Sequence, residues 1–492
     1  MMYIRDLLAP WFHYSGPEQF AHLRLDSREI QQGDLFVAIP GHALDGRRFI
    51  AKAIEAGASA VLCHSDDAKQ HGQVENLGAP VIYFSELSGQ LAALARQAYP
   101  FNDKQTLLAG VTGTNGKTSV SQLMAQLVSL AGEPAAVLGT IGNGLWGSLS
   151  DSINTTSDAL TTARQLHDCQ NHNAKLVAME VSSHGLVQGR VATLPFSVAV
   201  FTNLSRDHLD YHGDMQNYAL AKRRLFEFRR LKHRLFNLDD STGQSWHQEF
   251  GEQASGYSVA GHQNADYFVS QVNYHDAGVS ATLHSPSGEF EINSPLLGPF
   301  NLSNLLAALG ALDLLGFDLT QLTQVCTHLQ PIAGRMEAYH APGKATLVVD
   351  YAHTSDALEQ ALSALRPHTK GKLWCVFGCG GDRDKGKRPL MAQAAEAHAD
   401  QLVLTQDNPR SESVAEIIRQ MREGLTNPQA AIEVQDRRQA IAEALAQADT
   451  DDVILVAGKG HETYHEVMGK KLPYDERAYV ASLLNDNDKG DQ

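Results

Sequence analysis

Residues 110–119 read GVTGTNGKTS. An apolar run, TLLAGV (106–111), leads into them. A segment follows, SVSQLMAQLVSLAG (119–132), in which Val120, Leu123, Met124, Leu127 and Val128 recur at helical spacing and Gly132 offers a stop. Strand, glycine loop and helix in that order are the setting of a phosphate-binding loop. The loop nevertheless departs from G-x-x-x-x-G-K-[ST], which calls for glycine at 111, where this chain has Val111. The remaining parts are in place. Gly113 and Gly116 let the backbone turn so that successive N–H groups face phosphate oxygens. Lys117 supplies a positive charge to the β and γ phosphates, and Thr118 offers a hydroxyl to Mg²⁺. A plain glycine turn with a solvated lysine is the competing reading, and the order of the elements weighs against it.

The same gesture recurs along the chain. KLVAMEV (175–181), SVAVFTN (197–203), ATLVVD (345–350), KLWCVFG (372–378), QLVLT (401–405) and DVILVA (452–457) each run into a loop rich in glycine and polar residues. Short apolar runs without alternation read as strands buried on both faces. Helical patterns at 301–316 and 355–367 lie between them. Alternating strands and helices make an α/β protein with doubly wound parallel sheets, whose ligands gather beyond the carboxyl ends of the strands.

Two stretches break the pattern. Residues 264–297 read as a β-hairpin region, with turns at Asp276-Ala277-Gly278 and Ser285-Pro286-Ser287-Gly288, and near 330–344 one α/β unit gives way to another. At about 150 residues per domain, a chain of 492 residues divides into about three. The expected domains are a small N-terminal α/β domain (1–102), a central P-loop-type parallel-sheet ATP-binding domain with the added hairpin region (103–333), and a C-terminal Rossmann-like α/β domain (334–492). Hydrophobic residues make up 43% and charged residues 20%, enough apolar material for several cores.

The net charge of −16 argues against a broad nucleic-acid or anionic-membrane face, but not against a local basic pocket. The five cysteines, Cys63, Cys169, Cys326, Cys375 and Cys379, are scattered and odd in number, which fits a reducing compartment. Cys375 sits inside an apolar strand, so burial is the better reading of the Cys375–Cys379 pair than a metal site. MMYIRDLLAPWFHYSG has no basic region followed by a long apolar run, so no secretory leader is expected. No stretch reaches about 18 apolar residues, so no membrane span is expected either. A cytoplasmic monomer is the expectation.

Chemistry-bearing residues cluster after the strand ends. Glu180 closes one strand beside the nucleotide loop and is a natural Mg²⁺ ligand. SRDHLDYHG (205–213) packs Asp207, His208, Asp210 and His212 together, which suggests one further ligand. YALAKRRLF (218–226) carries Lys222, Arg223 and Arg224 on a helix, and spacing alone makes them an exposed basic face. GCGGDRDKGKR (378–388) offers Arg383 and Lys385 on a mobile loop able to close over phosphates. In DNPR (407–410), Arg410 follows Pro409, and arginine grips carboxylates with two parallel hydrogen bonds. His461-Glu462-Thr463-Tyr464-His465 matches H-E-x-x-H, but it follows a strand and a glycine loop rather than lying inside a helix. A zinc site there is therefore set aside, and Glu462 is expected to face the cleft and meet an amine.

Assembled in order, TGTNGKTS, EVSSHGL, TNLSRDHLDYHG, YALAKRRLF, GPFNLSNLLAA, GRME, DYAHTSDAL, GCGGDRDKGKRP, DNPRSE and AGKGHETY resemble the Mur ligases, as does LDSREIQQGDLFVAIPGHALDGRRFI (25–50). These are ATP-dependent amide-bond ligases of peptidoglycan precursor synthesis, and their phosphate loop lacks the earlier glycine. DNPR resembles the signature of the branch that adds meso-2,6-diaminopimelate to UDP-N-acetylmuramoyl-L-alanyl-D-glutamate. Lysine-adding and folylpolyglutamate-synthetase-like ligases are the alternatives. Glu412-Ser413 replaces the family's acidic residue followed by proline, outside the gripping residues, and FNLSN replaces the commoner Asn-Pro-x-Asn form.

The resemblance implies a set of roles. Leu25, Ser27, His42, Ala43 and Leu44 would hold the uridine diphosphate end of the substrate. Asn154, Thr155, Thr156, Ser182, Gln188 and Arg190 would hold its sugar and peptide. Thr112, Gly113, Thr114, Asn115, Gly116, Lys117, Thr118 and Ser119 would bind the ATP phosphates, and Asn304, Arg335 and Asp350 the adenosine. Thr118, Glu180 and His208 would serve Mg²⁺. Lys222 matches a lysine that the family converts to N6-carboxylysine, an anionic metal ligand. Arg383, Asp407, Asn408, Pro409, Arg410, Gly458 and Glu462 would grip diaminopimelate. The reaction implied is activation of the D-glutamate γ-carboxylate as an acyl phosphate, followed by attack of the amine.

Overall fold

The computed structural model describes residues 1–41, 44–152, 154–275 and 277–485, with the side chain of Asp210 left aside. The chain forms two compact units. One comprises Met1–Tyr257 with Ala307–Phe317, and the other Ser258–Leu306 with Asp318–Gln492.

Besides the short antiparallel pair Met2–Tyr3 and Gln19–Phe20, the first unit carries strands of two larger sheets. In the N-terminal one, strands run in the order Leu23–Arg24, Leu35–Ala38, Ala60–Ser65, Pro80–Ser85, Val74–Asn76. All neighbours are parallel except the last pair. Leu35–Ala38 and Ala60–Ser65 are buried at every position, as expected of strands covered on both faces. The second sheet is ordered Asn143–Leu145, Ala135–Leu138, Leu176–Glu180, Leu107–Thr112, Val198–Phe201, His233–Asn237, Ser255–Ser258. It is parallel apart from its first pair. The chain leaves Leu107–Thr112 toward one edge and returns to its other side, which makes the end of that strand a topological switch point.

Val111 belongs to this strand, not to the loop. It is fully buried and lies opposite Glu180 on one neighbour and Val200 on the other. A glycine inside a buried strand would cost roughly 0.5–1 kcal/mol and leave a gap in the packing. The turn begins only at Gly113, where φ is +154° and a Cβ would run into Thr202 Oγ1. Gly116 (φ +83°) then starts the helix Lys117–Leu130. The expected strand, loop and helix are therefore all present, and the missing glycine falls where a glycine has no conformational use.

The second unit holds an antiparallel meander, Tyr267–His275, Gly278–Ser285 and Gly288–Ser294, in the region expected to be hairpin-like. Gly278 and the second turn stand where expected; Asp276 lies outside the described residues. The main sheet is ordered Glu337–Tyr339, Thr346–Asp350, Val453–Ala457, Leu373–Phe377, Gln401–Leu404, Ile432–Glu433. Its central four strands are parallel. An added hairpin, Tyr464–Val467 with Lys470–Pro473, was not legible in the sequence. All five cysteines are buried, and burial pushes the Cys379 thiol up to about 12. No helix among the described residues is long and apolar enough to cross a membrane.

Candidate active site

In the first unit, two lysines converge on one carbonyl. Lys117 Nζ donates to the backbone oxygens of Gly113 (2.9 Å) and Thr114 (2.7 Å), and Lys222 Nζ donates to the same Gly113 oxygen at 2.6 Å. The Lys222 side chain also lies against the Tyr218 ring, 4.4 Å from its centroid. Lys222 is 1% exposed. This corrects the reading from spacing, which made Lys222, Arg223 and Arg224 an exposed face: the helix Met215–Arg223 turns Lys222 inward, while Arg223 pairs at the surface with Glu227 and Glu249. Burial, and then the charge of Lys117, bring the Lys222 ammonium down to about 6. Burial lowers Lys117 as well, against the attraction of Glu180 and Asp207. Two desolvated amino groups share one acceptor, and a nearby anion would favour their protonated forms.

The loop is fixed by residues that sequence reasoning did not single out. Asn203 accepts from Asn115 N at 2.9 Å and returns a hydrogen bond to Asn115 O at 3.2 Å, and Thr202 Oγ1 donates to the same oxygen at 2.5 Å. Both follow the strand Val198–Phe201, so their signal was position after a buried strand.

Glu180 is buried beside the loop. Its carboxylate accepts from Thr118 Oγ1 (2.8 Å), Thr140 N (2.8 Å) and Thr140 Oγ1 (3.1 Å). Burial raises its pKa, and these hydrogen bonds and the Lys117 charge oppose the rise. The Thr118 hydroxyl and the Glu180 carboxylate are adjacent hard oxygen donors, and this set fits Mg²⁺. His208 has a different setting. It is in the left-handed region (φ +52°), half exposed, 3.5 Å from Asp207, with its ring against those of His184 and Tyr218. The structure does not bring it into contact with Thr118 or Glu180.

The residues expected at the sugar and peptide also gather here. Thr156 Oγ1 donates to Glu180 O at 2.9 Å and accepts from Ser182 N at 2.9 Å. Arg190 donates to Thr156 O (2.6 Å) and through Nε and Nη2 to Gln188 Oε1 (2.9 and 2.6 Å). Thr155 Oγ1 lies within hydrogen-bonding distance of Thr140 Oγ1, at 3.0 Å, while Asn154 is exposed and its backbone oxygen accepts from Ser152. In the N-terminal sheet region Ser27 is buried, Leu25 is half-buried and Leu44 is exposed. His42 and Ala43 lie outside the described residues.

In the second unit, Asp350 ends its strand buried, accepting from Met336 N and Ala352 N, each at 2.8 Å. Burial raises its carboxyl. The Arg335 guanidinium lies over the Tyr351 ring, 4.8 Å from its centroid. Asn304 is buried in the helix Pro299–Leu314.

The ends of Leu373–Phe377, Gln401–Leu404 and Val453–Ala457 carry the remaining predicted residues. Lys459, which sequence reasoning passed over, organises them. Its side chain is fully buried, and Nζ donates to Asn408 Oδ1 (2.8 Å) and Tyr464 O (2.8 Å), with Asp407 at 3.4 Å and Glu462 at 3.5 Å. Glu462 also accepts from Asn408 Nδ2 at 2.9 Å. A lysine between two glycines after a buried strand was the available signal. Gly458 (φ +123°) passes so close to Asp407 that a Cβ would sit 3.0 Å from Oδ2. The backbone of Arg410 is left-handed (φ +49°), its Nη1 donates to Gly381 O at 2.8 Å, and its Nε donates to Glu466 at 2.9 Å. His461 and His465 lie on a turn and a strand, and His465 Nδ1 meets Asp407 O at 3.0 Å.

The glycine-rich loop expected to close over phosphates is hydrogen-bonded to the DNPR turn and the residues after it. Glu412 accepts from Asp382 N at 2.6 Å and from both terminal nitrogens of the fully buried Arg388 at 2.9 Å. The Arg388 guanidinium holds the Glu412 carboxyl down at about 2. Ser411 donates to Asp382, and Gly381 N to Asn408 O. Arg383 remains exposed on this fastened loop. Glu412, read from sequence as peripheral, joins the two loops.

Comparison with known proteins agrees with this layout. Family models described as Mur ligase family, catalytic domain, Mur ligase middle domain, and Mur ligase, glutamate ligase domain match residues 19–99, 111–312 and 334–460. A solved UDP-N-acetylmuramoyl-L-alanyl-D-glutamate–2,6-diaminopimelate ligase is 37% identical over 99% of each chain, with a TM-score of 0.75. MurF ligase from Thermotoga maritima, solved with ADP, is 18% identical over 89% of this chain and 93% of its own (TM-score 0.62). Folylpolyglutamate synthase from Mycobacterium tuberculosis is 18% identical over 75% of this chain and 91% of its own (TM-score 0.57). The last two share the fold.

Proposed function

The chain belongs to the Mur ligase family of ATP-dependent amide-bond-forming ligases, and from that premise we propose that it adds meso-2,6-diaminopimelate to the D-glutamate γ-carboxylate of UDP-N-acetylmuramoyl-L-alanyl-D-glutamate. The setting would be cytoplasmic synthesis of the peptidoglycan precursor, by a monomer of three domains with boundaries near 102 and 333. The observation that carries the amino-acid choice is Arg410, whose guanidinium is held at Nε and Nη1 by Glu466 and Gly381. An arginine fixed in this way suits a remote carboxylate, and lysine has none.

The γ-carboxylate attacks the γ phosphorus of ATP, ADP departs, and an acyl phosphate forms. The amine of diaminopimelate then attacks the acyl carbon, phosphate leaves and the amine gives up a proton. Lys117 and the N–H groups of residues 113–118 hold the phosphates and spread the developing charge. Mg²⁺, held by Thr118 and Glu180 with His208 as a further candidate, would neutralise phosphate charge. Asn304, Arg335 and Asp350 hold adenosine. Leu25, Ser27, His42, Ala43 and Leu44 take the uridine diphosphate end, and Asn154, Thr155, Thr156, Ser182, Gln188 and Arg190 the sugar and dipeptide. Arg383, Asp407, Asn408, Pro409, Arg410, Gly458 and Glu462 receive diaminopimelate.

Phosphate release tests the reading directly. With the nucleotide-sugar dipeptide and ATP present, diaminopimelate is expected to drive turnover and lysine to be a poor substitute. Preference for lysine overturns the substrate assignment.

The depressed pKa of Lys222 supports its carboxylation, because only the neutral amine attacks carbon dioxide, giving a carbamate anion and a proton. The unfolded chain holds a proton that the folded chain releases, so stability rises with pH from about 6 up to the ordinary lysine value of 10.5, and the penalty is complete below about 6. Isotopically labelled bicarbonate is expected to enter the wild-type protein and not Lys222→Ala, and stripping carbon dioxide is expected to slow wild-type turnover. Neither effect occurring would remove the modification from the mechanism.

A further inference from the structure

We infer that Glu466 is a positioning residue for Arg410, and that it sets affinity and selectivity for the remote carboxylate of the incoming amino acid. The inference rests on the diaminopimelate reading of the site. Glu466 belongs to the hairpin Tyr464–Val467 and Lys470–Pro473, which has no part in the assigned chemistry. Its Oε2 accepts from Arg410 Nε at 2.9 Å, and its side chain is 30% exposed against 21% for Arg410. The two residues are also joined through the backbone: Arg410 N donates to Glu466 O at 2.9 Å, and Met468 N donates to Arg410 O at 2.8 Å. Asn408 Oδ1 receives Glu466 N at 2.8 Å, so the hairpin and the DNPR turn are bonded at several points.

The geometry assigns Glu466 a definite task. Arginine binds a carboxylate best with two parallel N–H groups on one edge. Gly381 O takes Nη1 on one side and Glu466 takes Nε on the other, while no described residue is within hydrogen-bonding distance of Nη2. Without the Glu466 carboxylate the guanidinium keeps its charge but loses the charge-assisted one of the two contacts that fix its rotation about the Cδ–Nε bond. An oriented arginine rewards a carboxylate at one place; a swivelling one only attracts negative charge. The left-handed backbone at Arg410, φ +49°, is held by the same hairpin and keeps the side chain on this side of the turn.

The experiment is steady-state phosphate release with meso-2,6-diaminopimelate as the varied substrate, for wild type, Glu466→Gln, Arg410→Ala and the double variant. Glu466→Gln is expected to raise KM for diaminopimelate on the order of tenfold, with kcat and the KM values for ATP and nucleotide-sugar dipeptide little changed. It is also expected to lower the ratio of diaminopimelate to lysine use. In the Arg410→Ala background the same substitution is expected to cause no further loss and to recover part of the affinity, because it removes the carboxylate left without its cation, a pattern that general damage to the hairpin would not produce. An unchanged KM in Glu466→Gln, or equal losses with and without Arg410, overturns the inference. Failure of wild type to use diaminopimelate, or an unchanged KM in Arg410→Ala, overturns instead the reading on which it rests.

Discussion

Lys117→Ala is expected to abolish ligation, with kcat/KM falling by at least about a thousandfold. The basis is geometric. Lys117 Nζ is tethered to the carbonyls of Gly113 and Thr114, within the loop that is to receive the phosphates. Its charge is carried at a desolvation cost, as the lowered pKa records, and that cost is offset when an anion arrives. Alanine removes the charge where negative charge develops during transfer and supplies no replacement. The variant should not unfold the protein. The charge of Lys117 is one of the causes that depress the pKa of Lys222, so its removal relieves Lys222. Lys222 should then titrate at higher pH. Thermal unfolding near the wild-type temperature together with lost phosphate release is the expected pair of results. Turnover within tenfold of wild type would deny Lys117 its role.

The sequence was most legible where burial dominates. Strands such as Val453–Ala457 and Leu373–Phe377 are buried at every position, and continuous apolar runs announce that environment. Glycines at 113, 116 and 458 mark real left-handed turns or close approaches. What local pattern could not show was the direction of individual charged side chains. Lys222 shares its stretch with two further cations, and spacing places all three in solvent; only the packing of the helix Met215–Arg223 draws Lys222 to Gly113. Arg388 and Arg437 are fully buried, with Glu412 and Glu476 as their respective carboxylate partners. Each pair is far apart in the chain, so neither half signals the other. The resemblance supplied Lys222, but not Lys459 or Glu466, whose positions emerge from the junction of the hairpin with the DNPR turn.

Arg410→Ala should raise KM for diaminopimelate by about 30- to 100-fold, the equivalent of about 2–3 kcal/mol for a half-buried charge pair. ATP and the nucleotide-sugar dipeptide should saturate as before. Backbone strain does not confound the result, since alanine and arginine both carry a Cβ and face the same left-handed φ of +49°. The electrostatic change is larger than the loss of one donor set. Glu466 stays behind without its cation and now repels the carboxylate that Arg410 would have attracted. Arg410→Lys should rescue little. Its single ammonium cannot reproduce the planar set in which Nε meets Glu466, Nη1 meets Gly381 and an edge remains for the ligand. Lysine as the offered amino acid gives the converse check, because it brings no remote carboxylate. Its poor use by wild type should fall no further in Arg410→Ala, so the two amino acids converge in efficiency. Diaminopimelate saturation unchanged by the substitution would place its remote carboxylate elsewhere.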